Sequence, residues 1–341
     1  MKNVVFNDMG REAEFKPDPI FKKYLKLTES DIKKEFKYKK KLKVSDCPAC
    51  ESRKNSKAFS KFGFQYVECQ NCGTVYMSPH MEDSRIKEHF LNSQSIRFWR
   101  DTLSKATQEK RKEKIYNHRW QWINDTVEEY LSGDRNIADF NSKNMDYVIE
   151  LLNNKYFNKK LIVNPYFNIE DVTDNDLKRK LSLASDPRNL FSNKNSINIT
   201  TLFEVIDYTS DVDTLMKTTK NLLCKGGLCF ITTISISGFD LQVLWENSRS
   251  IFPVDRINVL SQKGLELLFK RHGFEILEFS TPGVLDFDIV ESEFKKHPDL
   301  PIPRFIRTVL ARDDEQLKQD FQNFLQVNKL SSFARIVLRK K

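Results

Sequence analysis

Cys47-Pro48-Ala49-Cys50 and Cys69-Gln70-Asn71-Cys72-Gly73 place two Cys-x2-Cys pairs eighteen residues apart. Four thiolates at this spacing suit a tetrahedral zinc ion, each pair forming a tight knuckle. Gly73 supplies the turn that follows such a knuckle. A fourfold cysteine site leaves no open ligand position, so the expected role of Zn2+ here is structural. Two disulfides would need an oxidising compartment, and a redox dithiol would need only one pair. Cys224 and Cys229 lack partners of this kind and read as core residues.

A second stretch with chemical potential is Asn136 to Leu152. Ile137, Ala138 and Phe140 read as a short buried strand. Met145, Val148, Ile149 and Leu152 then fall at i, i+3, i+4 and i+7, one face of a helix. A strand feeding a tight turn into a helix is where α/β proteins bind cofactors, because the helix N-terminus offers free backbone N–H groups. Such turns usually carry glycine. This one reads Asn141-Ser142-Lys143-Asn144, and no glycine lies between Gly133 and Gly226.

The elements around these two stretches follow from periodicity. Residues 1–15 read as a loose tail. Ile20, Tyr24 and Leu27, then Ile32 and Phe36, suggest two short helices, with Thr28 and Asp31 as a helix start. Phe62, Phe64, Tyr66 and Val67 suggest hairpin strands between the cysteine pairs, and residues 74–79 a strand leaving them. Tyr116, Trp120, Ile123, Val127 and Tyr130 share a helix face closed by Gly133. Strands are expected at 137–140, 160–163, 180–184, 197–205 and 228–234. Val212, Leu215, Met216, Thr219, Leu222 and Leu223 form an amphipathic helix capped by Gly226-Gly227. Leu265, Leu268 and Phe269 mark a short helix, and residues 274–279 and 285–289 two further strands. Leu317, Phe321, Phe324 and Leu325 mark a late helix, and Ala334, Ile336 and Leu338 a closing strand. Strands alternating with helices imply a doubly wound α/β sheet. The expected organisation is helices and linker at 1–43, ribbon at 44–80, helical connector at 81–132 and a Rossmann-like domain at 133–341.

Composition narrows the class. The chain has 341 residues, 39% hydrophobic, with 26 Phe, enough for a large core. No apolar run approaches the roughly 18–20 residues of a membrane span. The N-terminus, Met-Lys-Asn-Val-Val-Phe-Asn-Asp, does not read as a signal peptide, so a cytoplasmic location is expected. The net charge is +9 and the pI near 9.0. The basic residues are interleaved with 47 acids, which favours solvated lysines over a nucleic-acid footprint. The densest basic run is Lys39, Lys40, Lys41 and Lys43.

The order zinc ribbon, tryptophan-containing helix and doubly wound sheet resembles bacterial class I S-adenosylmethionine-dependent methyltransferases with an N-terminal zinc ribbon. The resemblance covers nearly the whole chain. It is carried by the run from Phe64 to Pro79 (FQYVECQNCGTVYMSP), by Leu222-Leu223-Cys224-Lys225-Gly226-Gly227-Leu228 and by Gly238-Phe239-Asp240-Leu241-Gln242-Val243-Leu244-Trp245. Thr281-Pro282-Gly283-Val284-Leu285-Asp286-Phe287-Asp288-Ile289-Val290 and Asn328-Lys329-Leu330-Ser331-Ser332 add to it. Some members of that group methylate nucleotide-linked sugars.

The resemblance implies S-adenosylmethionine at Asp139, Asn141, Ser142, Asn144, Asn164 and Glu204. It also implies an acceptor side near Asp207, Tyr208, Asp240, Arg249, Ser250 and Arg256, with Asp207, Tyr208 and Arg256 as candidate catalytic groups. The sequence departs from the family pattern at this very place. The family's first strand ends Asp-x-Gly-x-Gly-x-Gly; here Asp139 is followed by Asn141, Lys143 and Met145 at the glycine positions. Asn164 stands near the acid expected at the end of the second strand. Glu204-Val205-Ile206-Asp207-Tyr208 lacks the histidine of Glu-x-x-Glu-His, and Arg256 stands where histidine is common.

A β-carbon at each glycine position crowds a ligand, and Lys143 brings a cation to a cationic donor. Asn164 lacks the charge that roughly doubles a hydrogen bond's strength. Three functions are consistent with the sequence. One is methyl transfer to a small molecule or nucleotide-linked sugar in surface-glycan synthesis. Another is a pseudoenzyme serving as a binding or scaffold partner for another protein. The third is a nucleic-acid-binding ribbon, ranked last because Phe62, Phe64 and Tyr66 suffice as a ribbon core.

Overall fold

A computed structural model describes residues 1–4, 12–35, 42–164, 166–186, 195–312 and 314–341. Phe36, Lys39, Lys40, Lys41 and residues 5–11 of the expected tail lie outside the described residues, as does Pro165.

The cysteine pairs flank a small sheet. β1 (Asn55–Lys61) and β2 (Phe64–Cys69) pair antiparallel, and β3 (Val75–Met77) adds to β2. Phe62 stands in the turn with φ 48°, not in a strand. Phe59, Phe64 and Tyr66 are buried, because a ribbon this short has little else from which to build a core.

The large sheet is the expected doubly wound one. β4 (Ile137–Phe140), β5 (Lys160–Val163), β6 (Ile197–Phe203) and β7 (Leu223–Ile234) run parallel in the order β5-β4-β6-β7. β8 (Asn258–Val259) lies outside this sheet, while β9 (Phe274–Ser280) and β10 (Phe333–Lys340) complete it. β10 runs antiparallel between β7 and β9, giving β5-β4-β6-β7-β10-β9. β4 is buried at every position, as a parallel strand covered on both faces must be. The chain moves from β4 outward to β5, then returns past β4 to β6. That reversal leaves a crevice beyond the carboxyl ends of β4 and β6, where open α/β sheets bind ligands.

β8 joins the ribbon instead. It pairs antiparallel with β3, Val75 opposite Val259 and Tyr76 opposite Asn258. One continuous core therefore runs from Cys47, Phe64 and Tyr66 through Tyr208 and Val259 to Leu265 and Phe269.

Several elements differ from expectation. Residues 180–184 end a helix, Asn175–Ala184. Leu177, Leu181 and Ala184 repeat at helical spacing, and the Asp174 side chain caps the start by accepting from Leu177 N. Residues 285–289 enter another helix, Asp286–Lys296, whose buried face includes Asp286, Phe287, Ile289, Val290 and Glu293. Five alternating residues were too short a window, and Asp286 is an inward carboxylate rather than a solvent-facing one.

The helix Val212–Leu222 stops before Gly226-Gly227, which lie inside β7. One helix, Asp18–Glu35, replaces the two short ones. Thr28 and Asp31 lie inside it: Thr28 bonds back to Tyr24 O, and Asp31 accepts from Ser95 N at 2.7 Å. In the helix Met145–Asn153 the buried face is Tyr147, Val148, Leu151 and Leu152, with Met145 and Ile149 at its margins.

Candidate functional site

β4, β5 and β6 each end in a residue with left-handed backbone: Asn141 (φ 52°), Asn164 (φ 49°) and Glu204 (φ 61°). Asparagine tolerates this conformation better than most residues, so the strand-end turns form without glycine but keep their side chains. Asn141 N donates to Val163 O. Asn144 caps the helix Met145–Asn153, its Oδ1 accepting from Asp146 N at 3.0 Å and Tyr147 N at 3.4 Å, while its amide donates to the Tyr116 hydroxyl. The N–H groups that would face a ligand are thus partly satisfied by the chain itself.

Side chains bridge the crevice. Tyr208, fully buried, donates its hydroxyl to Asn141 O at 2.6 Å. Lys143 Nζ reaches Asp255 Oδ1 at 2.6 Å and stands 4.0 Å from the Tyr208 ring centroid and 4.3 Å from that of Phe90. Cation–π attraction and the ion pair hold this ammonium in place. Phe90 meets Tyr208 and Tyr166 edge-on at 5.2 Å. Its neighbour His89 is buried, its Nδ1 without a partner among the described residues, and burial pushes its imidazole down to about 4.

Behind this plug lies a charge cluster centred on Arg256. Its guanidinium meets Glu204 Oε2 at 2.9 Å, Asp207 Oδ2 at 3.1 Å and Asp255 Oδ2 at 3.5 Å. Arg119 lies 3.6 Å from Glu204. Burial pushes Asp207 up to about 7 against the pull of Arg256; the Thr233 hydroxyl also donates to it. Burial likewise works against the ionised forms of Glu204 and Asp255. Arg256, Arg119 and Lys143 outweigh it at Glu204, whose side chain is 38% exposed, and hold it at about 2. Lys143 and Arg256 hold Asp255 far below the usual carboxylate range. Burial raises the Tyr208 phenol well above its ordinary value, so it serves as a donor and not as a base.

Asp139 lies beneath the crevice. Its Oδ1 accepts from Thr201 at 2.7 Å, Oδ2 makes no hydrogen bond among the described residues, and burial pushes the carboxyl up to about 7 against the pull of Thr201, Arg119 and Ser142. Ser142 is half-buried and Asn164 exposed. The structure therefore brings Asp139, Asn141, Asn144, Glu204, Asp207, Tyr208 and Arg256 to one crevice, with Asn164 at its outer rim. Asp240 is elsewhere, buried in a knot with Asp286, whose Oδ1 accepts from Ser332 N and Oδ2 from Ser331. Arg249 is likewise removed, paired with Glu293 and Glu12. Sequence reasoning missed Asp255, Phe90, His89 and Arg119. Only Asp255, beside Arg256, left any signal; Phe90 and His89 sit on a helix whose docking no local pattern encodes.

The four cysteines are together. Their Sγ atoms all lie within 4.8 Å of one another, with Cys47 to Cys72 at 3.6 Å and Cys50 to Cys69 at 3.5 Å. A tetrahedron with metal–sulfur bonds of roughly 2.3 Å has edges of about 3.8 Å, so the donor set fits zinc.

Residues 124–278 match a family model described as a methyltransferase domain. This segment is a methyltransferase-family domain. No curated protein matches the chain. Solved structures similar to it include a putative sarcosine dimethylglycine methyltransferase from Galdieria sulphuraria, at 13% identity, covering 68% of this chain and 88% of that one, with a TM-score of 0.40. A SAM-dependent methyltransferase from Archaeoglobus fulgidus stands at 12% identity, 67% and 94% coverage and a TM-score of 0.40. A Haloferax volcanii putative methyltransferase in complex with the Trm112 activator stands at 10%, 71% and 96%, and 0.38.

The methyltransferase family implies S-adenosylmethionine. The crevice of this member does not fit that donor in the family's usual position. Tyr208, Lys143 and Asp255 span the space, with Lys143 reaching across from a position where the family pattern has glycine. The Asn141 amide turns instead to Val163 O and Asn164 O, and Met145 packs against the core behind the helix.

Proposed function

We propose that this chain keeps the methyltransferase fold as a binding scaffold and carries out no methyl transfer at the switch-point crevice. The observation that carries the reading is the Lys143–Asp255 ion pair seated on the Tyr208 ring, across the mouth between β4 and β6. Each part satisfies another: the lysine neutralises an acid and the phenol satisfies a strand-end carbonyl. The plug is stable without a ligand, and a donor would have to break it. In this reading the cysteine centre holds a structural zinc ion, and the partner is a protein or a small molecule bound away from the crevice.

A second reading keeps an enzyme acting on a small molecule or nucleotide-linked sugar. It is favoured by the retained Asp139 at the end of β4, whose Oδ2 makes no hydrogen bond among the described residues. A nucleic-acid role for the ribbon draws no support from its rings, since Phe64 and Tyr66 are buried and half-buried Phe62 is stacked on Phe252 at 6.0 Å, while stacking on bases needs free faces.

Calorimetric titration of the zinc-loaded protein separates the first two readings. The scaffold reading expects no saturable heat with S-adenosylmethionine or S-adenosylhomocysteine up to about 1 mM, a free energy weaker than roughly −4 kcal/mol. Saturable one-site binding would replace it with the enzyme reading.

A further inference from the structure

We propose that the four-cysteine centre controls the state of the crevice, acting through β8, so that loss of the metal loosens the crevice while the main sheet stays folded. The proposal goes beyond the scaffold reading and holds whichever ligand, if any, the crevice takes.

The physical link is a short run of chain clamped from two sides. On one side, residues 256–261 are held by the ribbon. Tyr66 donates its hydroxyl to Arg256 O at 2.8 Å, and Met77 N donates to Ile257 O at 2.7 Å. Val259 and Asn258 pair with β3, and Ser261 donates to Cys72 O in the second knuckle. On the other side, the same run holds the loop after β6. Asn258 N donates to Asp207 O at 2.8 Å, and its side-chain amide donates to Ile206 O at 2.9 Å and Thr209 O at 2.8 Å. Arg256, which pairs with Glu204 and Asp207, begins this run, and Asp255, which pairs with Lys143, immediately precedes it. A two-residue strand cannot hold register alone, so its geometry is borrowed from β3.

β3 leaves the second knuckle, whose thiolates the metal would tie to those of the first, so loss of the metal frees the end of β3 on which β8 pairs. The helix Gln262–Arg271 tightens the joint. Lys263 reaches Asn71 O at 2.6 Å in one knuckle, and Arg271 reaches Pro48 O at 3.4 Å in the other. A β-carbon at Gly264 would meet Thr74 Oγ1 at 2.2 Å and Ala49 Cβ at 3.1 Å, so only glycine lets the helix lie this close to the knuckles. By contrast, the main sheet is stitched by long ladders, β7 with β10 above all, none of which passes through the ribbon.

Hydrogen exchange on the full-length protein tests this, before and after zinc is stripped with a chelator under reducing conditions. The expected result is lost protection in the ribbon and also in residues 204–209 and 255–261, with β4, β7 and β10 protected as before. Loss confined to the ribbon would overturn the proposal, and so would equal loss throughout β4, β7 and β10. Tyr66→Phe, which keeps all four cysteines, serves as the second arm. It should speed exchange about tenfold in residues 256–259, the effect of one lost hydrogen bond, with zinc content unchanged. Unchanged exchange there would equally overturn the proposal.

Discussion

Lys143 Nζ lies 2.6 Å from Asp255 Oδ1 although the two residues are 112 positions apart, and both are more than half shielded from solvent. The lysine comes from the turn after β4 and the aspartate from the run leading into β8. Their pairing ties the loop of the cofactor-type turn to the segment that carries Arg256.

Breaking this pair from one side should cost more than removing it whole. Lys143→Met leaves Asp255 beside Arg256 alone, and with a third of Asp255 exposed the expected loss is about 1–2 kcal/mol. The double variant Lys143→Met/Asp255→Asn should recover at least half of it. Urea denaturation of the zinc-loaded forms measures both. Equal stability of the single variant and the parent would remove the pair as a structural tie.

Tyr208→Phe deletes the hydroxyl that satisfies Asn141 O and leaves the ring under Lys143 in place. The expected cost is about 1–2 kcal/mol, since a part-buried carbonyl loses its side-chain donor. Circular dichroism should report an unchanged fold. A stability equal to the parent would mean that water replaces the phenol and that the crevice is wetter than the buried contacts imply.

Asp139 has a definite pH signature. Its carboxyl is pushed up to about 7 in the folded protein, against about 3.9 in an unfolded chain. Between those values the folded state binds the extra proton, so this group's contribution falls as pH rises from about 4 to about 7 and is constant above. Asp139→Asn removes that slope. Relative to the parent, the variant should gain stability between pH 5 and pH 8, by a difference on the order of 2–4 kcal/mol at most. A parallel pair of pH profiles would show that Asp139 is ionised in the folded state.

Much of this architecture was legible in sequence because it is encoded locally. The cysteine spacing marks the metal set, the apolar run at 160–163 and the β-branched run at 197–205 mark strands, and their alternation with helices marks the sheet as parallel. Residues 180–184 and 285–289 misled because five residues cannot separate a period of two from one of 3.6; Asp174 as a cap and Asp286 as a buried acceptor decide for helix. Asn141, Lys143 and Met145 signalled an altered cofactor turn, since missing glycines are visible in one dimension. What fills the turn was not visible. Asp255 and Phe90 reach it across long sequence distances, and β8 reveals itself as a ribbon strand only through its pairing with β3.

The metal centre should hold about one zinc per chain, as four thiolates at this spacing do. Cys50→Ser should lower zinc content and thermal stability together, because metal binding energy is folding energy in a ribbon this small. Metal analysis with a thermal melt checks it. Full zinc occupancy with three thiolates, or an unchanged melt, would show that the ribbon's core suffices without the fourth ligand.

A crystal structure of the zinc-loaded protein soaked with S-adenosylmethionine tests the closed crevice most directly. The expected map shows Lys143 on Asp255, the Tyr208 hydroxyl on Asn141 O, and no donor along residues 139–145. An intact donor lying along those residues, with Lys143 swung away from Asp255, would contradict it.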